Sequence, residues 1–140
     1  MGKGGKGMLE FNVDKITIPL KQHVGGPCQA IVSVGDHVKR GQLVATPNGL
    51  GANIHTSLSG VVESVDEMNI VVKLDKEQSD DYVKLEPTDD HLQRIKDAGI
   101  VGVGGAGFPT GIKLSAQIPG GYVIANAAEC EPVLGHNVRY

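Results

Sequence analysis

What most constrains this chain is a series of short segments, rich in Val and Ile, that recurs between residues 16 and 85 with turn chemistry between them. The segments cover residues 16–20, 30–34, 42–46, 60–65, 69–74 and 82–85, and the pairs Gly35-Asp36, Asn48-Gly49, Ser59-Gly60 and Asp66-Glu67 fall between them. Runs this short, spaced this closely and free of a 3.6-residue period predict β-strands packed as a compact sandwich or barrel. Apolar residues make up 40% of the chain and aromatic residues only 4%, with no Trp, so the core is expected to be aliphatic.

The pattern changes after residue 86. Pro87-Thr88-Asp89-Asp90 supplies N-cap chemistry for a helix running to about Asp97, with Leu92 and Ile95 on one face and Gly99 as its C′ residue. Next comes Gly102-Val103-Gly104-Gly105-Ala106-Gly107-Phe108-Pro109-Thr110-Gly111-Ile112-Lys113. Gly102, Gly104 and Gly107 satisfy the letter of the dinucleotide fingerprint, yet a helix precedes them and Pro109 follows, which is the wrong context for a Rossmann turn. The chain has no Gly-Lys-Ser/Thr, so a Walker loop is excluded as well. What remains is physical: Gly104, Gly105 and Gly107 permit close approach and positive φ, and successive N–H groups there can form an anion-binding nest. Thr110 is expected to cap a short helix over residues 111–116, which makes Lys113 a candidate phosphate ligand. Residues 122–125 read as a buried strand leading into Asn126-Ala127-Ala128-Glu129-Cys130-Glu131-Pro132, where Asn126, Glu129 and Glu131 can hydrogen-bond hydroxyls or a carboxamide. A Gly-rich linker with surface acids is the plainer alternative.

Charge and composition narrow the function classes. A net charge of −3 gives no electrostatic footprint for nucleic acid. No segment approaches the roughly 18 apolar residues of a membrane helix, and the Gly- and Lys-rich start lacks a signal-peptide core. A soluble, cytoplasmic protein is expected. Cys28 and Cys130 have no partners at metal-ligand spacing and read as buried small residues. His23, His37, His55, His91 and His136 are scattered and expected on the surface or in turns, so no metal site is assigned.

Two resemblances sharpen this picture. The stretch Val34-Gly35-Asp36-His37-Val38-Lys39-Arg40-Gly41-Gln42-Leu43-Val44, with Ile54-His55-Thr56-Ser57-Leu58-Ser59-Gly60-Val61-Val62, resembles the barrel-sandwich hybrid of biotinyl and lipoyl domains. Carriers of that type present a lysine at the tip of the hairpin between the two halves. Here the tip is residues 46–53, and no lysine lies between Lys39 and Lys73, so a structural or docking module is expected in place of a swinging arm. The glycine loop and acidic turn together resemble the flavin-binding subunits of respiratory complex I and of the Rnf electron-transport complex. Ile18-Pro19-Leu20-Lys21-Gln22-His23-Val24-Gly25 and the Asn-Ala-Ala-Glu-Cys-Glu-Pro turn favour the RnfC branch. Gly-Gly-Pro-Cys after Val24 is similar to the electron-transfer proteins of proline reductase systems.

The resemblance implies an N-terminal barrel-sandwich hybrid (residues 16–87, after a flexible leader over residues 1–15). It also implies the N-terminal part of an α/β flavin domain, over residues 88–140. Gly102, Gly104, Gly105, Gly107, Lys113 and Asn126 would lie on the FMN side, and Phe108, Glu129 and Glu131 on the NADH side. Hydride from NADH would pass to FMN and on, as electrons, to iron–sulfur clusters carried outside these residues. The acceptor would be another member of a redox complex or a reductase, with peripheral membrane association allowed. Val103 replaces a cationic phosphate contact of the complex I form, and Leu114-Ser115-Ala116 replaces an aromatic that stacks on NADH, so FMN binding is implied more firmly than NADH binding. Family members run some hundreds of residues further. The chain is therefore expected to be an N-terminal portion, a truncated or recoded reading frame, or one half of a site completed by another chain. A docking or assembly module is the alternative function.

Overall fold

The computed structural model describes residues 13–124. Seven strands form two antiparallel sheets, followed by two short helices: β1 Lys15–Pro19, β2 Gln29–Ala30, β3 His37–Val38, β4 Leu43–Thr46, β5 Ile54–His55, β6 Gly60–Val65, β7 Asn69–Leu74, α1 His91–Asp97 and α2 Thr110–Leu114. One sheet has the order β1-β7-β6-β3 and the other β2-β4-β5. This is the expected barrel-sandwich architecture, followed by the start of a helical segment.

Side-chain alternation builds the core. Ile70 and Val72 point inward from β7, Val62 from β6 and Ile18 from β1, all nearly inaccessible to solvent. They meet Val38 from β3 of the same sheet, Val44, Ala45 and Ile54 from the second sheet, and Leu20 and Cys28 from the loops. The core is aliphatic, as the composition predicts. Turn chemistry also acts where expected: Asp66 Oδ1 accepts from Met68 N at 2.7 Å and Asn69 N at 2.8 Å, closing the β6–β7 hairpin. Asp36 Oδ2 accepts from Ser33 N at 2.8 Å, and Gly35 takes φ +92.

Several expected elements differ. The strand over residues 30–34 stops pairing early, because the Ser33–Asp36 turn begins before it ends; only Gln29 and Ala30 have strand partners, with one further bond from Ile31 N to Val44 O. Residues 82–85 are not a strand. They are exposed, and Val83 N to Arg40 O at 2.8 Å is the one backbone bond they make to the barrel. Two short strands, β3 and β5, escape the sequence reading because two residues are too few to show alternation.

The helix α1 follows its sequence signals closely. Asp90 Oδ1 accepts from Leu92 N at 2.9 Å and Gln93 N at 3.1 Å. At the other end Gly99 N bonds Lys96 O, and Ile100 N reaches Ile95 O, a Schellman closure that needs the φ of +67 at Gly99.

The packing sets two expectations for stability. Ile70 is fully buried, so Ile70→Ala is expected to lower the unfolding free energy by about 2–5 kcal/mol, read from urea denaturation. His55 is partly buried in a groove with Leu43, Val83 and Leu85, where Lys84, Glu86 and Asp97 are the charged neighbours. Burial pushes its imidazole below its ordinary value of 6.5. Between the folded and unfolded values the unfolded chain binds more protons, so this contribution is complete above 6.5 and is lost as pH falls through the folded value. The drop in urea midpoint from about pH 7.5 to about pH 5.5 is expected to be smaller in His55→Gln than in the wild type.

Candidate functional site

The site grows from a seam between the barrel and the segment that follows it. The hairpin tip between β4 and β5, residues 47–53, is the part that a carrier domain leaves free. Here it is held down. His23, only 6% exposed, points its ring at the tip: Nδ1 lies 3.0 Å from Val24 O, and Nε2 lies 3.2 Å from Ala52 N. One tautomer satisfies both contacts: Nδ1–H donates to the Val24 carbonyl and Nε2 accepts from the Ala52 N–H. The Cys28 thiol completes the cluster, with Sγ at 3.2 Å from Nε2 and 3.3 Å from Ala52 O. Burial pushes the Cys28 thiol up, so it sits there as a neutral S–H. Gly51 gives the ring its room, since a Cβ there would come within 2.6 Å of His23 Cε1.

The helical segment docks on this tip. A side chain at Gly99 would overlap the Asn53 carbonyl, and Asn53 Nδ2 donates to Asp97 O at 3.4 Å. A cavity of about 310 Å³ runs along the seam between Pro47, Ala52 and Asn53 on one side and Lys96, Ile100 and Pro109 on the other. The chain then makes a closed loop. Val101 and Pro109 form an antiparallel bridge, Gly102 N bonds Phe108 O at 3.0 Å, and Thr110 N bonds Ile100 O at 2.9 Å. The foot of the loop stands on the barrel: Gly107 is buried, Val24 N reaches Gly107 O at 3.4 Å, and a Cβ at Gly107 would sit 3.1 Å from His23 Cα.

The rest of the loop is bare. Residues 102–106 are exposed, and a Cβ at Gly104 or Gly105 would touch nothing within 4 Å. Among the described residues, the N–H groups of residues 103–108 donate no hydrogen bond. Gly104 and Gly107 take φ of +79 and +66, as expected for a nest, whereas Gly105 does not take positive φ. Phe108 is 44% exposed beside the loop, and Lys113 is exposed on α2, the helix leaving it. The structure thus brings Gly102, Gly104, Gly105, Gly107, Phe108 and Lys113 to one loop and its following turn. Asn126, Glu129 and Glu131 lie outside the described residues, as do Cys130 and His136.

Three expectations need correction. Thr110 is not an N-cap: Pro109 holds that position without a side-chain hydrogen bond, Thr110 is the first helical residue, and α2 has only five residues. A helix that short has little dipole to offer an anion. The buried strand at residues 122–125 is absent over its described part, where Tyr122, Val123 and Ile124 are 92%, 85% and 85% exposed. A strand needs a neighbour to take its N–H and C=O groups, and no such neighbour stands beside these residues among the described ones. His23 lies in a bent loop but is buried and central, not on the surface. Its signal in the sequence was faint: a ring flanked by the small-residue run Gly25-Gly26-Pro27-Cys28, opposite a tip containing Gly51.

Comparison with known proteins decides the family. The model of the RnfC barrel sandwich hybrid domain matches residues 10–85. The chain belongs to the RnfC family. A second family model, the Nuo51 FMN-binding domain, matches residues 95–140 and so takes in the glycine loop. The chain is 38% identical over 146 aligned positions to the C subunit of the proton-translocating ferredoxin:NAD(+) oxidoreductase complex of Clostridium ljungdahlii, covering 90% of this chain and 32% of that protein. It is 36% identical over 140 positions to the C subunit of the ion-translocating oxidoreductase complex of Salmonella arizonae, covering 86% of this chain and 20% of that protein. The chain therefore spans about a third or less of these curated relatives. In this RnfC-type chain no helix among the described residues is long and apolar enough to cross a membrane.

The docking of the RnfC barrel against the loop segment can be tested directly. Gly99→Ala places a methyl against the Asn53 carbonyl at positive φ, so it is expected to release α1 from the tip. Hydrogen exchange at the Thr110 amide should quicken by tenfold or more, about the loss of one packed contact, while the barrel core amides hold their protection.

Proposed function

We propose that residues 88–140 are the N-terminal part of a flavin domain and that the chain serves an electron-transfer oxidoreductase that takes hydride from NADH. The observation that carries this reading is the exposed, unpartnered backbone of the loop, at a position where the FMN-binding domain model matches. The fit is physical. Gly102, Gly104 and Gly105 leave their backbone open to a flat or anionic group, which side chains at those positions would obstruct. The successive N–H groups of residues 103–106, free among the described residues, suit a phosphate, and Lys113 adds a neutralising charge on the following turn. Bound FMN would supply two-electron acceptance and one-electron release, with the protein contributing position and electrostatics.

In this reading Gly107 and Phe108 set the base of the loop, with Phe108 toward the nicotinamide. Asn126 binds the flavin, while Glu129 and Glu131 hold the NADH side. Electrons leave to iron–sulfur centres in other parts of the redox complex. The name of the Clostridium relative puts ferredoxin and NAD(+) on the two sides of its reaction, and a comparable acceptor is proposed here. A proline reductase-type acceptor is the narrower version of the same proposal. The location is proposed to be cytoplasmic, with peripheral attachment to a membrane complex.

FMN titrated against the full-length protein is expected to lose its fluorescence stoichiometrically. Lys113→Ala should weaken binding by about tenfold, the worth of one charge-assisted hydrogen bond at an exposed position, and Gly105→Val should weaken it further. Wild-type affinity in both variants would sink the assignment and leave a docking or assembly module as the function.

A further inference from the structure

We infer that His23 is a positioning residue for the glycine loop, so that the barrel sets the geometry of the flavin site through one buried imidazole. The inference rests on the flavin reading above. His23 touches both the hairpin tip and the foot of the glycine loop. Its Nε2 holds Ala52 of the hairpin tip, its Nδ1 holds Val24, and its own Cα supports Gly107 at the foot of the loop. Val24, whose carbonyl the ring takes, passes its N–H to the Gly107 carbonyl at 3.4 Å. The tip that the ring holds carries Asn53, against which Gly99 and Asp97 dock.

The loop is thus anchored at both ends through His23. One route runs through Val24 to Gly107, and the other through Ala52 and Asn53 to the end of α1, just before the Val101–Pro109 bridge. Beyond the Gly102–Phe108 bond, the N–H groups of residues 103–108 donate no hydrogen bond among the described residues, so the shape of that stretch is set by its ends. Loosening either anchor raises the ordering cost of binding without removing any group that would touch the flavin.

The test uses the full-length protein with three His23 variants, each measured for barrel melting, for exchange of the Gly102 and Thr110 amides without flavin, and for FMN affinity. A Gln amide reaches to where Nε2 sits and can still accept from Ala52 N–H. The shorter Asn can serve only Val24, and Ala serves neither. His23→Gln is expected to hold FMN affinity within about threefold of wild type, with protected amides. His23→Asn should bind roughly tenfold more weakly, the worth of one hydrogen bond, with faster exchange at both amides. His23→Ala should be weaker still; if it does not fold, the Gln–Asn comparison decides. Equal FMN affinity in folded Gln and Asn variants overturns the inference, and so does a loss that merely tracks barrel melting. The failure of the flavin reading looks different: Lys113→Ala and Gly105→Val then leave affinity unchanged, and this inference falls with it.

Discussion

The structure turns on a single accounting problem: what satisfies the backbone N–H of Ala52 once the β4–β5 tip is folded down onto the barrel. A buried amide without a partner costs about 1–3 kcal/mol, enough to lift the tip away. His23 resolves it from a segment far away in sequence, accepting that N–H through Nε2 while its other nitrogen serves Val24. Both ring nitrogens have partners on either side, which fixes how the ring is oriented. The helical segment docks on the tip that results, and the foot of the glycine loop stands beside it on His23 and Val24.

That pinned tip explains how a carrier-shaped barrel works without a carrier's lysine. Biotinyl and lipoyl carriers present a lysine at this tip; here Gly51 admits the His23 ring beneath it and Asn53 meets Gly99 above it. The seam also separates two uses of glycine that look identical in the sequence. Gly99 and Gly107 are bare because the barrel presses against them, whereas Gly104 and Gly105 are bare toward solvent. Only the second pair leaves room for a ligand, and under the proposed reading it is the pair that approaches the flavin.

Much of the fold was legible. Strands β6 and β7 are long enough to show alternation, and Asp66 and Asp36 announced their turns by side chains that can cap their own backbone. Asp90 and Gly99 marked both ends of α1 for the same local reason. The misses share a cause as well. Strands β3 and β5 exist because a neighbouring strand pairs them, not because of their own pattern. Residues 122–124 have strand composition but nothing beside them among the described residues, and composition without a partner makes no strand. His23 was invisible as a hub because the partners that make it one, Ala52 and Gly107, are distant in sequence and offer only backbone, which leaves no side-chain pattern to read.

By itself the sequence determined what is local: an aliphatic β domain, a capped helix, a glycine loop with no side chains in its way, and motifs specific enough to point to the RnfC family. These depend on composition and on contacts within a few residues, which a linear reading can follow. Only the tertiary structure decided that the hairpin tip is pinned, that the loop stands on the barrel, and which glycines face solvent. Those facts depend on hydrogen bonds and packing between segments whose proximity exists only once the chain has folded.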